Sequence, residues 1–166
     1  GFAWPTLLLL VSSAAIYLAA VAQLLTEPTF SWWALAGIAF CTYAIYTPLH
    51  DAVHGAVTGM SLERRWINEW TGYVAAHFLG ISFKAHRRSH LKHHRSTNHP
   101  SEDPDMVLSA GNAHQLVLAW LKGVPKEWLF AFSFEHFNDA EKVTVRRELI
   151  AIILTRMVLL SFCADL

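Results

Sequence analysis

The sequence predicts an all-α, multi-pass membrane fold with a histidine-rich helical cap, and three observations carry that prediction. Hydrophobic residues make up 54% of the 166 and charged residues only 16%, against about a quarter charged in a typical soluble domain. Two long uncharged runs lie near the start of the chain. Of the 13 Lys and Arg, none precedes Arg64 and only Arg156 follows Arg147. Net charge is zero, and no basic arm of the kind a nucleic-acid partner requires is present, so nucleic-acid binding is excluded.

Residues 5–26 would measure ~33 Å as a helix, enough for a ~30 Å hydrocarbon core. They lack the basic start and small-residue cleavage site of a signal peptide, and their apolar part is too long for one. Residues 29–49 would reach ~31 Å. The short Glu27-Pro28 link makes the two an antiparallel hairpin over about 5–49, with Trp32 and Trp33 suited to an interfacial aromatic belt. Twelve of the 13 basic residues fall between Arg64 and Arg147, which by the positive-inside rule puts a cap of about 50–147 in the cytoplasm.

Residues 70–83 are apolar but reach only ~21 Å, and are expected to be re-entrant or interfacial. Residues 115–134 mix apolar residues with Lys122, Lys126 and Glu127 and carry Gly123 and Pro125. They read as one or two amphipathic surface helices, with no role beyond anchoring required. A further span is expected to open over 149–166, with Arg156 either snorkelling or facing protein. Cys41 and Cys163 read as two small buried side chains, not a disulfide. The whole is expected to be one membrane domain, 1–166, truncated at both ends.

Five of the ten histidines fall into His50-x-x-x-His54 and His90-x-x-His93-His94. Helical neighbours three and four apart share a face, so each group gathers its imidazoles on one side. Imidazole suits iron, copper, nickel and zinc. The first pair alone is weak, since such pairs occur on ordinary helix surfaces. Three imidazoles within two turns are stronger, because they cost helix propensity and desolvation without packing gain.

The residues His50-Asp51-Ala52-Val53-His54 and His90-Leu91-Lys92-His93-His94 resemble the first two histidine boxes of the membrane fatty acid desaturase superfamily, which also holds hydroxylases and carotenoid ketolases. The run from His94 through Thr97-Asn98 to Asp103-Pro104-Asp105 is similar to the tail of the second box in many bacterial members. The resemblance implies a non-haem centre of two iron ions with His50, His54, His90, His93 and His94 as ligands. It implies O2 as co-substrate, a lipid acyl chain in the membrane as substrate, and an external electron donor such as a ferredoxin or cytochrome. It implies a third box as well, which neither His114-Gln115 nor His136-Phe137 supplies. The chain is therefore expected to be a fragment, inactive by itself.

Ligating imidazoles need a second-shell acceptor for the other ring nitrogen. Asp51 is one candidate, or it is ordinary helix-end polarity. Asp103 and Asp105 are others if their loop folds back, the alternative being turn-forming Asp-Pro-Asp chemistry. His86 is expected to support a ligating histidine from behind or to lie at the surface. His77 reads as a hydrogen-bonded neutral histidine, and His99, His114 and His136 as surface residues. Arg87, Arg88, Lys92 and Arg95 suit an acidic electron donor or lipid head groups, or are simple solvated charge.

Desaturation of an acyl lipid is the leading function. Hydroxylation or ketolation of a lipid or carotenoid stays open, since the boxes do not fix the outcome. A membrane metal transporter is a more distant reading. It would place ionisable ligands within the spans, whereas residues 5–49 hold no Asp, Glu or His except Glu27 in the connecting turn. A haem protein would likewise need histidines within facing spans.

Overall fold

The computed structural model describes residues 1–27, 29, 31–59 and 61–164, and among these the side chains of all but 120, 163 and 164. The expected Glu27-Pro28 link and the environment of Cys163 fall partly or wholly outside them. The described residues form six α-helices and one short 3-10 helix, with no strand among them. They divide into two compact units: Gly1–Leu79 with the helix segment from Ala151 onward, and Gly80–Ile150.

In the first unit, α1 (Trp4–Thr26) has Pro5 in its first turn, where the missing N–H costs no intrahelical bond. It buries Thr6, Leu10, Ser13 and Ala20 on one face and leaves Leu8, Val11, Ile16 and Leu18 exposed. The second helix, α2 (Trp32–Val53), starts at Ser31, whose hydroxyl accepts the Ala34 N–H at 3.2 Å, an N-cap. Its inward face runs through Ala34, Cys41, Ile45, Pro48 and Ala52, so Cys41 is buried as expected. Small residues let α1 and α2 approach closely: a Cβ built on Gly37 would lie 3.8 Å from that of Ala20.

Among the described residues only α1 is long and apolar enough to cross a membrane. The expected second span fails that test. Its aromatic rings, Thr42, Thr47 and Pro48 dilute its hydropathy, and α2 runs on past residue 49 through the histidine motif to Val53.

The expected apolar stretch 70–83 is not one segment. Helix α3 (Arg65–Leu79) begins five residues earlier and stops at Gly80, whose φ of 72° is a left-handed conformation that glycine adopts without steric cost. It packs on α2 and α1 through Asn68, Thr71, Gly72, Ala75 and Ala76. Two side chains hold it through tertiary hydrogen bonds. The Asn68 side-chain amide donates to the Ala52 carbonyl at 2.7 Å. The Arg156 guanidinium donates to the His77 and Phe78 carbonyls at 3.1 and 3.0 Å. Those are last-turn carbonyls without helical partners. Arg156 faces protein, which resolves the alternative the sequence left open.

In the second unit, α4 (Phe83–Arg95) starts at Ser82, whose hydroxyl accepts the Ala85 N–H at 3.1 Å and donates to Glu148. Glu148 also accepts the Lys84 N–H at 3.1 Å. Helix α5 (Ala113–Phe132) is continuous through Gly123 and Pro125, so of the one or two helices expected there it is one. Ala131, Phe137, Val145, Leu149 and Ala85 form a core with Trp128, Phe130 and Phe134 against it. Trp128 also donates its indole N–H to the Gly80 carbonyl at 2.8 Å. Helix α6 (Asp139–Ala164) begins ten residues before the expected span. Its Glu141 pairs with Lys84 at 3.0 Å and Arg88 at 3.2 Å on α4.

Candidate metal centre

In the first unit, His50 lies on the last turn of α2 and His54 caps it, so both belong to one helix end. Their ring centroids are 4.6 Å apart, as i, i+4 spacing requires. His50 is half-buried and His54 exposed. The neighbouring carboxylate is held from α1: Thr6 Oγ1 donates to Asp51 Oδ2 at 2.6 Å. Asp51 Oδ1 stands 3.9 Å from His50 Nδ1, beyond hydrogen-bond range. Asp51 therefore joins α1 to α2 and adds negative charge beside His50 without bonding its ring.

In the second unit, four imidazoles line α4. His90 Nε2 and His94 Nε2 lie 3.0 Å apart, so two ring nitrogens converge on one point. His90 is buried and His94 exposed. Just past the helix, Asn98 takes a left-handed φ of 63°, and the loop folds back on α4. Asp103 Oδ1 meets His93 Nδ1 at 2.8 Å. Asp103 is buried, and its carboxylate also accepts the Asn98 and Asp105 N–H groups, each at 2.8 Å. Burial would raise its pKa, but the His93 bond and these two N–H groups overcome that and lower it. With Nδ1 engaged by a carboxylate, His93 presents Nε2, the arrangement that orients a ligating histidine. Asp105 Oδ2 is farther off, 3.6 Å from His93 Nδ1.

His86 is not a surface residue. Its side chain is 6% exposed, and Nδ1 lies 3.2 Å from Glu127 Oε2 on α5. Its ring stacks on that of His90 with centroids 5.5 Å apart. Lys126, beside Glu127, contacts Glu127 Oε1 at 2.7 Å and Asp105 Oδ1 at 2.5 Å. Burial raises the Glu127 pKa, but His86 and Lys126 outweigh it and bring the carboxyl to about 2. Burial lowers that of Lys126, and the two carboxylates reverse the shift to a net rise.

Lys126 and Glu127 correct the reading of this helix as an anchor alone: they are a buried ion pair whose carboxylate stands 3.2 Å from the His86 ring on α4. Their distance in sequence from the histidines hid that role. The one signal was an adjacent Lys-Glu pair in a largely apolar stretch. Elsewhere, His99 and His114 are exposed and His136 half-buried, with its ring stacked 4.9 Å from Phe130. None of these three joins the α4 group.

The donor set suits a borderline metal: neutral nitrogens, one of them already fixed through its second ring nitrogen by a carboxylate. Comparison with curated proteins and with solved structures finds no match. The fatty acid desaturase family model matches residues 28–165, a range that contains both histidine groups, the folded-back loop and the Lys126–Glu127 pair. The chain therefore belongs to the fatty acid desaturase family.

Proposed function

We propose that this protein is a membrane-embedded, non-haem di-iron oxidoreductase that desaturates the acyl chain of a lipid at the membrane surface. In this reading His50, His54, His90, His93 and His94 are the protein ligands to iron. The observation that carries it is the α4 arrangement. Two Nε2 atoms lie 3.0 Å apart, and a buried carboxylate holds His93 Nδ1, inside a chain of the desaturase family.

Bound there, the irons supply activation of O2 for attack on an unactivated C–H bond, with electrons from an external donor such as a ferredoxin or cytochrome. The chain's own residues do the positioning. Asp103 keeps the proton of His93 on Nδ1 and so keeps Nε2 a donor to metal. Asp51 adds negative charge beside His50, which favours cation binding. The family's third histidine box has no counterpart in these 166 residues, so the reading applies to them together with a segment that supplies it.

Membrane embedding is supported by where large apolar side chains are left uncovered. Leu8, Val11 and Leu18 on α1, Trp32, Trp33 and Phe40 on α2, and Met157, Val158 and Leu160 on α6 are all exposed. Apolar surface on that scale needs lipid or protein over it. We read α1 and α2 as a hairpin through the bilayer, α3 as interfacial, and α6 as entering the membrane, with the histidines facing the cytoplasm.

The test uses the full-length protein in nanodiscs. Wild type should hold two irons per chain and introduce a double bond into a labelled acyl lipid when given O2 and reduced ferredoxin. His90→Ala and His94→Ala should each lose at least one iron and all product. Full iron loading in both variants would sink the ligand assignment. An oxygenated product without a new double bond would move the protein to hydroxylation or ketolation.

A further inference from the structure

We propose that Lys126 is a positioning residue of the metal centre, joining the imidazole–carboxylate contacts of His86 and His93 from a different helix. The proposal rests on the di-iron reading above and adds to it a residue that touches no ligand.

The geometry has one cation between two carboxylates. Lys126 Nζ reaches Glu127 Oε1 at 2.7 Å, and the other Glu127 oxygen stands 3.2 Å from His86 Nδ1. The same Nζ reaches Asp105 Oδ1 at 2.5 Å, while Asp105 Oδ2 stands 3.6 Å from His93 Nδ1. Asp103, which makes the 2.8 Å bond to that Nδ1, takes the Asp105 N–H on the same oxygen. Lys126 thus draws Asp105 aside and leaves Asp103 as the nearer partner of His93. On the other branch it fixes Glu127, hence His86, whose ring lies against His90 at 5.5 Å.

Energetics favour a positioning role over simple stability. The side chains of Lys126 and Glu127 are 12% and 10% exposed. Ionic groups buried to that degree lose most of their hydration, and an apolar pair of similar volume is often as stable or more so. What such a pair adds is one defined geometry. Here that geometry determines which ring nitrogen of two histidines is occupied by a carboxylate. Removing the cation leaves the buried Glu127 and the half-buried Asp105 without their shared partner, free to re-pair with either imidazole.

The experiment compares wild type, Lys126→Met, Lys126→Arg and Trp128→Phe as full-length protein in nanodiscs. Trp128→Phe removes an α5 hydrogen bond outside the network and controls for general loosening of that helix. Metal affinity is read by Co(II) titration of metal-free protein, and ring tautomers of His86 and His93 by nitrogen-15 NMR in the same state. Lys126→Met should weaken Co(II) binding about 10–100-fold and replace single Nδ1–H tautomers with mixtures. Lys126→Arg should restore both, and Trp128→Phe should change neither.

Wild-type affinity and tautomers in Lys126→Met would overturn the proposal, as would an equal loss in Trp128→Phe. Should Lys126→Met lose its helical signal, Glu127→Gln preserves side-chain size and carries the same comparison. Failure of the wild type to bind Co(II) or iron overturns the di-iron reading itself. Normal wild-type binding with an unaffected Lys126→Met overturns only the role of Lys126.

Discussion

At the level of single residues, buried ionic contacts give this chain a defined response to acid. Glu127 ionises at about 2 in the folded protein against an ordinary 4.5. A carboxyl with a depressed folded pKa adds stability that is complete above its unfolded value and disappears as pH falls through the folded one. The contribution is therefore full above pH 4.5 and lost by about pH 2, and amounts to roughly 3 kcal/mol. Glu148 has the opposite sign. Burial is its largest influence and raises its pKa, so its ionised form opposes folding, and protonation relieves that cost. Subtraction separates the two: the denaturation midpoint of wild type minus that of Glu127→Gln should shrink as pH drops below 4.5. A constant difference across that window would contradict the assignment.

Residue-scale chemistry was readable wherever it followed local spacing. His50/His54 and His90/His93/His94 each fall within two helical turns, so their shared faces follow from the helix period alone. Thr6 with Asp51 and His86 with Glu127 were not readable, because 45 and 41 positions separate the partners and only tertiary packing brings them together. The choice for Asp103 depended on whether the loop turned back, which a backbone φ of 63° at Asn98 allows.

Among the helices, boundaries were set by tertiary partners more than by hydrophobic runs. The run over 70–83 spans a helix end, a glycine turn and the start of the next helix. Apolar character alone does not mark such a break, whereas Gly80 does. Helix α5 likewise runs on through Pro125, and the part of it that packs into the core, Trp128, Phe130 and Ala131, lies beyond the proline. The end of α3 depends on Arg156, whose two hydrogen bonds occupy carbonyls that no helical N–H reaches. Replacing Arg156 with Met should cost about 1.5–3 kcal/mol, the range for hydrogen bonds to charged groups. Hydrogen exchange should localise the loss to the last turn of α3. Uniform protection in the variant would show that the guanidinium is dispensable.

For the whole molecule, composition was enough to give an all-helical class, and it suggested more spans than hydropathy alone supports. Among the described residues only α1 meets the length and hydropathy of a span, because tryptophan, tyrosine and threonine lower the average of α2 while suiting an interface. The charge distribution carries the proposed orientation, and sidedness is measurable. In sealed right-side-out vesicles, a cysteine placed at Thr29 should react with an impermeant maleimide, and one at Ser101 should react only after permeabilisation. Equal reactivity of both would remove the hairpin from the proposal.

The Thr6–Asp51 hydrogen bond bears on how this protein can be re-engineered. A chimera carrying an unrelated leading span would keep the hydrophobic length and lose the hydroxyl donor, leaving a carboxylate to re-pair next to His50. Such grafts should succeed only when a threonine or serine is retained at that turn, so the first helix is not an exchangeable tether.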